Sequence, residues 1–94
     1  MEKLEKVLAE NSQVLIDFYA DWCGPCRMLA PVIEEVQKED NNITVMKVNV
    51  DDNPEIASSY GVRSIPTLVA VRDGKTIKQV VGFRSKADII KMFK

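Results

Sequence analysis

Val14-Leu15-Ile16-Asp17-Phe18-Tyr19-Ala20, running on into Asp21-Trp22-Cys23-Gly24-Pro25-Cys26, is the stretch on which the fold turns. From Val14 to Ala20 the chain is apolar at every position but one and shows no in-out alternation. Such a run suits a central strand of a parallel sheet, covered on both faces. From Gly24 to about Lys38 the period changes, and Leu29, Val32, Ile33 and Val36 recur at helical spacing, with Pro31 as an expected kink. Cys23 and Cys26, the chain's two cysteines, therefore fall at a strand-to-helix junction.

Working outward, Leu4, Val7 and Leu8 share one face of a short helix over residues 2–10, which Asn11-Ser12 breaks. Residues 43–49 (ITVMKVN) read as a second strand. Asn53-Pro54 marks a helix start, with Asn53 as cap, and Gly61 offers a left-handed end to that helix. Thr67 to Arg72 is a strand, Asp73-Gly74 a hairpin turn, and 75–81 its antiparallel partner. Ser85 caps a last helix, with Asp88 completing a capping-box-like pattern and Ile89, Ile90 and Phe93 as its buried face. The order α-β-α-β-α-β-β-α predicts an α/β fold of three layers, a mixed four-stranded sheet flanked by four helices. At 94 residues, positions 1–94 are expected to form one domain.

Composition narrows the function. The net charge is −1, which supplies no overall basic field for nucleic acid or an anionic membrane. The longest apolar runs fall far short of the ~20 residues of a membrane span. Met1-Glu2-Lys3-Leu4-Glu5-Lys6 alternates charge and has no apolar signal core, so a cytoplasmic protein is expected. Two cysteines without a secretion signal argue against a structural disulfide scaffold. The chain has no histidine and one cysteine pair, fewer ligands than a zinc site takes. Redox use of the pair remains.

The chemistry follows from placement. A helix N-terminus carries unpaired N–H groups and roughly half a positive charge. A cysteine capping it should titrate below the free value of ~8.5, and the thiolate is the reactive form. Cys23 is thus expected to be exposed and attacking, and Cys26, one turn in and facing it, recessed and resolving. Gly24 allows close approach of a partner, and Pro25 starts the helix without needing an N–H acceptor. Asp17 is an acid inside an apolar strand, where burial should raise its pKa. It could take the proton from Cys26; the alternative is a structural acid held by a lysine. Lys47, by itself, is as readily a solvent-facing strand lysine.

The stretch Asp17–Cys26 resembles the active-site segment of the thioredoxin family, as do Ile65-Pro66-Thr67, the Asp73-Gly74 turn and Val81-Gly82, in the right order and spacing. The resemblance runs from about residue 4 to the C-terminus. It implies a thioredoxin-like fold and a protein disulfide reductase with no bound cofactor beyond a Cys23–Cys26 disulfide. The partners implied are disulfide-bearing client proteins and a separate NADPH-dependent thioredoxin reductase. Asp17 would be the proton acceptor for Cys26, and Lys47 its buried lysine partner. Pro66 would be cis, facing the cysteines and presenting the Ile65 backbone to a client. Trp22, Ile65, Gly82 and Phe83 would form an apolar rim, although Trp22 could be simple core and Gly82 a strand end. The Gly24-Pro25 pair is similar to that of reducing members, against the rival readings of a glutathione-linked oxidoreductase and a non-cycling binding subunit. Two departures stand out. Tyr19 takes the place of a second tryptophan, and no strand is expected before the first helix. Strand 43–49 should then lie at a sheet edge, giving a monomer or, through that edge, a dimer.

Overall fold

The computed structural model describes residues 2–94 and contains α1 (Glu2–Glu10), β1 (Gln13–Tyr19), α2 (Gly24–Glu39), β2 (Thr44–Asn49), α3 (Pro54–Ser59), β3 (Thr67–Arg72), β4 (Lys75–Val81) and α4 (Lys86–Lys91). The expected order holds: α1, β3 and β4 keep their expected bounds, and β1, α2 and β2 are displaced by one residue. The strands form one sheet in the order β2-β1-β3-β4. β1 pairs in parallel with β2 and antiparallel with β3, and β3 pairs antiparallel with β4. β2 is an edge, as expected, and β4 is the other.

The continuous apolar run of β1 is explained by its two partners and its two covered faces. Val14, Ile16 and Phe18 point to one side, where they join Leu4, Met46, Val48, Ala57, Val69 and Val71. Leu15 points to the other, into a core built from Leu29, Ile33 and Val36 of α2 and from Ile89, Met92 and Phe93 at the C-terminus. Period-2 strands between period-3.6 helices thus produce the three layers, α1 and α3 on one face and α2 and α4 on the other. α2 is continuous through Pro31. Lys86 Nζ lies 3.0 Å from Glu39 Oε1 and links α4 to the end of α2.

The turns follow their residues. Asp73 and Gly74 both have positive φ, 51° and 81°, the geometry a two-residue hairpin of this hand demands. Ile77 is an extra residue in β4, since Ala70 pairs with Lys78 and Val71 with Thr76. Ser85 accepts a hydrogen bond from the Asp88 N–H and caps α4. Asn53 does not cap α3 with its side chain. Its Nδ2 donates instead to the Asn49 carbonyl, closing the turn after β2.

Candidate functional site

The apolar strand β1 runs into the site and the helical register of α2 leaves it. Between them Cys23 N donates to the Ala20 carbonyl at 3.2 Å, turning the chain. Cys23 is the N-cap of α2, with extended φ and ψ of −87° and 112°. Its Sγ accepts a hydrogen bond from the Cys26 N–H at 3.2 Å, one of the donors a helix start leaves unpaired. Cys23 and Cys26 form a disulfide with Cα atoms 5.3 Å apart. Exposure does not separate the two residues. Cys23 is 4 % exposed and Cys26 7 %, so the expectation of an exposed Cys23 is corrected. Ala20, Tyr19, Val50 and Ile65 pack around the pair and cover it. What distinguishes the sulfurs is the hydrogen bond, which among the described residues only Cys23 receives.

Asp17 is buried, on the α2 face of β1, and its Oδ1 has no hydrogen-bond partner among the described residues. Desolvation raises its pKa from the ordinary 3.8 to about 6, against the attraction of Lys47, which lowers it. Lys47 stands directly across from Asp17 in the β1–β2 register. It is exposed rather than buried, a correction with a simple cause: Met46 and Val48 take the covered face of β2, and Lys47, alternating with them, takes the other, beside an open cleft. Its ammonium lies 5.0 Å from the centroid of the Tyr19 ring. Asp17, Cys26 and Lys47 line one cleft of about 210 Å³, together with Arg27 and Ala30. The cleft places the carboxyl group and the second cysteine on a common space.

Trp22 is 68 % exposed and Phe83 46 %, so Trp22 is not core. Its Nε1 donates to Asp51 Oδ2 at 2.8 Å. The Asp51 N–H in turn donates to Asn49 Oδ1 at 2.9 Å. The Ile65–Pro66 bond is cis, as the resemblance implied. Gly82 N donates to the Pro66 carbonyl at 2.8 Å, which fixes the end of β4 beside Ile65 and Pro66. Gly82 has φ of 96°, a conformation that strains any other residue. Asp51 was not singled out from the sequence. The signal available was a lone tryptophan whose N–H needs an acceptor, followed by a polar cluster after the next strand.

Among the described residues no group of three or more potential metal ligands occurs, and no helix is long and apolar enough to cross a membrane. The family model for thioredoxin matches residues 2–94. A thioredoxin of Chlamydia caviae is 51 % identical over 79 residues, 84 % of this chain and 78 % of that protein. One of Rickettsia bellii is 47 % identical over 87 residues, 92 % of this chain and 83 % of that protein. The solved structure of a mutant thioredoxin from Halobacterium salinarum NRC-1 superposes with a TM-score of 0.93 at 43 % identity, covering 98 % of this chain and 80 % of that one. Matched almost end to end and carrying a joined cysteine pair at the head of α2, the chain belongs to the thioredoxin family and is a thiol–disulfide oxidoreductase.

Proposed function

We propose that residues 1–94 act as a single domain that reduces disulfides in client proteins, with Cys23 as nucleophile. The observation that carries this is the Cys26 N–H directed at Cys23 Sγ. In the reduced protein the same donor and the positive end of α2 would favour a Cys23 thiolate. That thiolate attacks one sulfur of the client disulfide, forms a mixed disulfide and releases the other sulfur as a thiolate. Cys26 then loses its proton and attacks Cys23 Sγ. The Cys23–Cys26 disulfide forms, the second client sulfur leaves, and the client has gained two electrons. Asp17 accepts the Cys26 proton; its raised pKa and the shared cleft support this role. Lys47 biases Asp17 by charge. Trp22, Ile65, Gly82 and Phe83 offer the client an apolar surface, and Pro66 and Ile65 a backbone edge. Gly24 and Pro25 shape the first turn of α2.

An NADPH-dependent reductase would restore the dithiol, and a reducing compartment such as the cytoplasm suits the cycle. No further cofactor enters. The decisive assay is NADPH-coupled reduction of insulin disulfides. Cys23→Ser should abolish turnover, and Cys26→Ser should accumulate a mixed disulfide at Cys23. Turnover surviving Cys23→Ser would overturn the assignment.

A further inference from the structure

The charge of this chain is unevenly placed. Residues 75–94 hold Lys75, Lys78, Arg84, Lys86, Lys91 and Lys94 against the single acid Asp88, although the whole chain is at −1. The fold gathers part of that excess into a groove between β4 and α4. Lys78, Val80, Arg84, Asp88, Lys91 and Met92 line it, around a volume of about 260 Å³. Val80 and Met92 give it an apolar floor. Lys78 and Lys91 are exposed at its sides, and neither forms an ion pair among the described residues. Lys86, by contrast, is engaged by Glu39. β4 is a sheet edge, so its outer N–H and C=O groups are open to an extended chain.

Arg84 connects the groove to the end of β4 at Gly82 and Phe83. Arg84 Nη1 donates to the Phe83 carbonyl at 3.0 Å and lies 3.5 Å from where a Cβ on Gly82 would stand. One guanidinium therefore borders both the Gly82–Phe83 rim and the groove. Trp22, by contrast, is held by an acid, Asp51.

We propose that the Lys78–Arg84–Lys91 groove is a docking surface for an acidic stretch of the client polypeptide beside its reactive disulfide. The inference rests on the disulfide-reductase reading and adds a substrate class to it: clients with Asp or Glu flanking the reducible cysteine. An extended acidic segment leaving Cys23 past Gly82 meets Arg84 first, then Lys78 and Lys91, with apolar side chains set against Val80 and Met92. Asp88 weakens the field but leaves three cations to one acid. Charges on such a rim act chiefly on encounter rate and partner choice.

The test uses the full chain and three peptides that share one cysteine, flanked by four Glu, four Gln or four Lys, each as a mixed disulfide with an aromatic thiol. Second-order rate constants with the reduced protein should favour the Glu over the Lys peptide by about tenfold at low salt, the modest end of electrostatic steering. The ratio should shrink severalfold in 0.5 M salt, about where screening reaches a few ångströms. Lys78→Glu/Lys91→Glu should invert the ratio, and Lys78→Arg/Lys91→Arg should keep it. Calorimetric titration with the same peptides carrying Ser in place of Cys should give the same order of affinity. That arm still decides the proposal if no peptide disulfide is reduced, an outcome that would overturn the reductase reading alone. Equal affinities and rates for the three peptides, a preference that survives charge reversal, or binding of a single-stranded oligonucleotide by the groove without an acidic-peptide preference would each overturn it.

Discussion

Asp17 shows how burying one acid bears on stability and, in the proposed cycle, on rate. Its pKa is about 6 in the folded chain and near 3.8 in an unpartnered carboxyl, so between those values the folded state holds the extra proton. Stability therefore falls as pH rises from about 4 to about 6, and stays lower above that. Below about 4 both states are protonated and no penalty exists. The shift corresponds to about 3 kcal/mol at one pKa unit per 1.36 kcal/mol. Asp17→Asn should raise stability by up to that amount at pH 8 and change it little at pH 4, as measured by urea unfolding at both. The same variant should slow disulfide reduction tenfold or more, because no base remains for the Cys26 proton. Equal shifts of the unfolding midpoint at pH 4 and pH 8, or unchanged turnover, would contradict this account. Asp17 was legible in the sequence because an acid in an apolar run stands out. The burial of Cys23 and the exposure of Lys47 were not, since both depend on which elements pack over them, and that is a tertiary property.

At the level of elements, the turn from β2 to α3 packs Val50 against the cysteine pair and also holds Trp22. Asn49 accepts from the Asp51 N–H, Asn53 donates to the Asn49 carbonyl, and Asp51 thereby presents its carboxylate to the Trp22 indole. Asp51→Ala should free the indole and raise KM for a protein disulfide several-fold with kcat nearly unchanged. Asp51→Asn, which keeps an acceptor oxygen, should restore most of the loss. Steady-state kinetics and the indole N–H resonance in NMR measure both; a KM unmoved in Asp51→Ala would remove Asp51 from the site. The elements themselves were readable because their punctuation is local: Asn11-Ser12, Asn53-Pro54, Asp73-Gly74 and Ser85 each mark a boundary. The bulge at Ile77 was hidden, since it arises from pairing with β3 and leaves no mark within 75–81. The side-chain role of Asn53 was misread for a related reason: helix caps and tight turns draw on the same short polar residues.

For the molecule as a whole, the two sheet edges differ in what they invite. β2 carries Lys47 near its centre, a charge that opposes edge-to-edge pairing. The protein should sediment as a monomer at micromolar concentration, and Lys47→Val should drive self-association; a wild-type dimer, or a variant that stays monomeric, would show that another feature governs the edge. β4 instead carries Lys75 and Lys78, part of a set of cations grouped in residues 75–94. That grouping was present in the sequence, but a net charge of −1 averages it away. Only the fold shows that Lys78, Arg84 and Lys91, spread over two elements and a loop, face one groove.

Trp22 is the chain's sole tryptophan, it is largely exposed, and it adjoins Cys23 in sequence. Disulfides quench indole emission, whereas a dithiol does so less. The protein therefore contains its own optical gauge. Excited selectively, this one chromophore should brighten when the neighbouring sulfur–sulfur bond opens and dim when it closes, so each half of the cycle can be followed in stopped flow with no label attached.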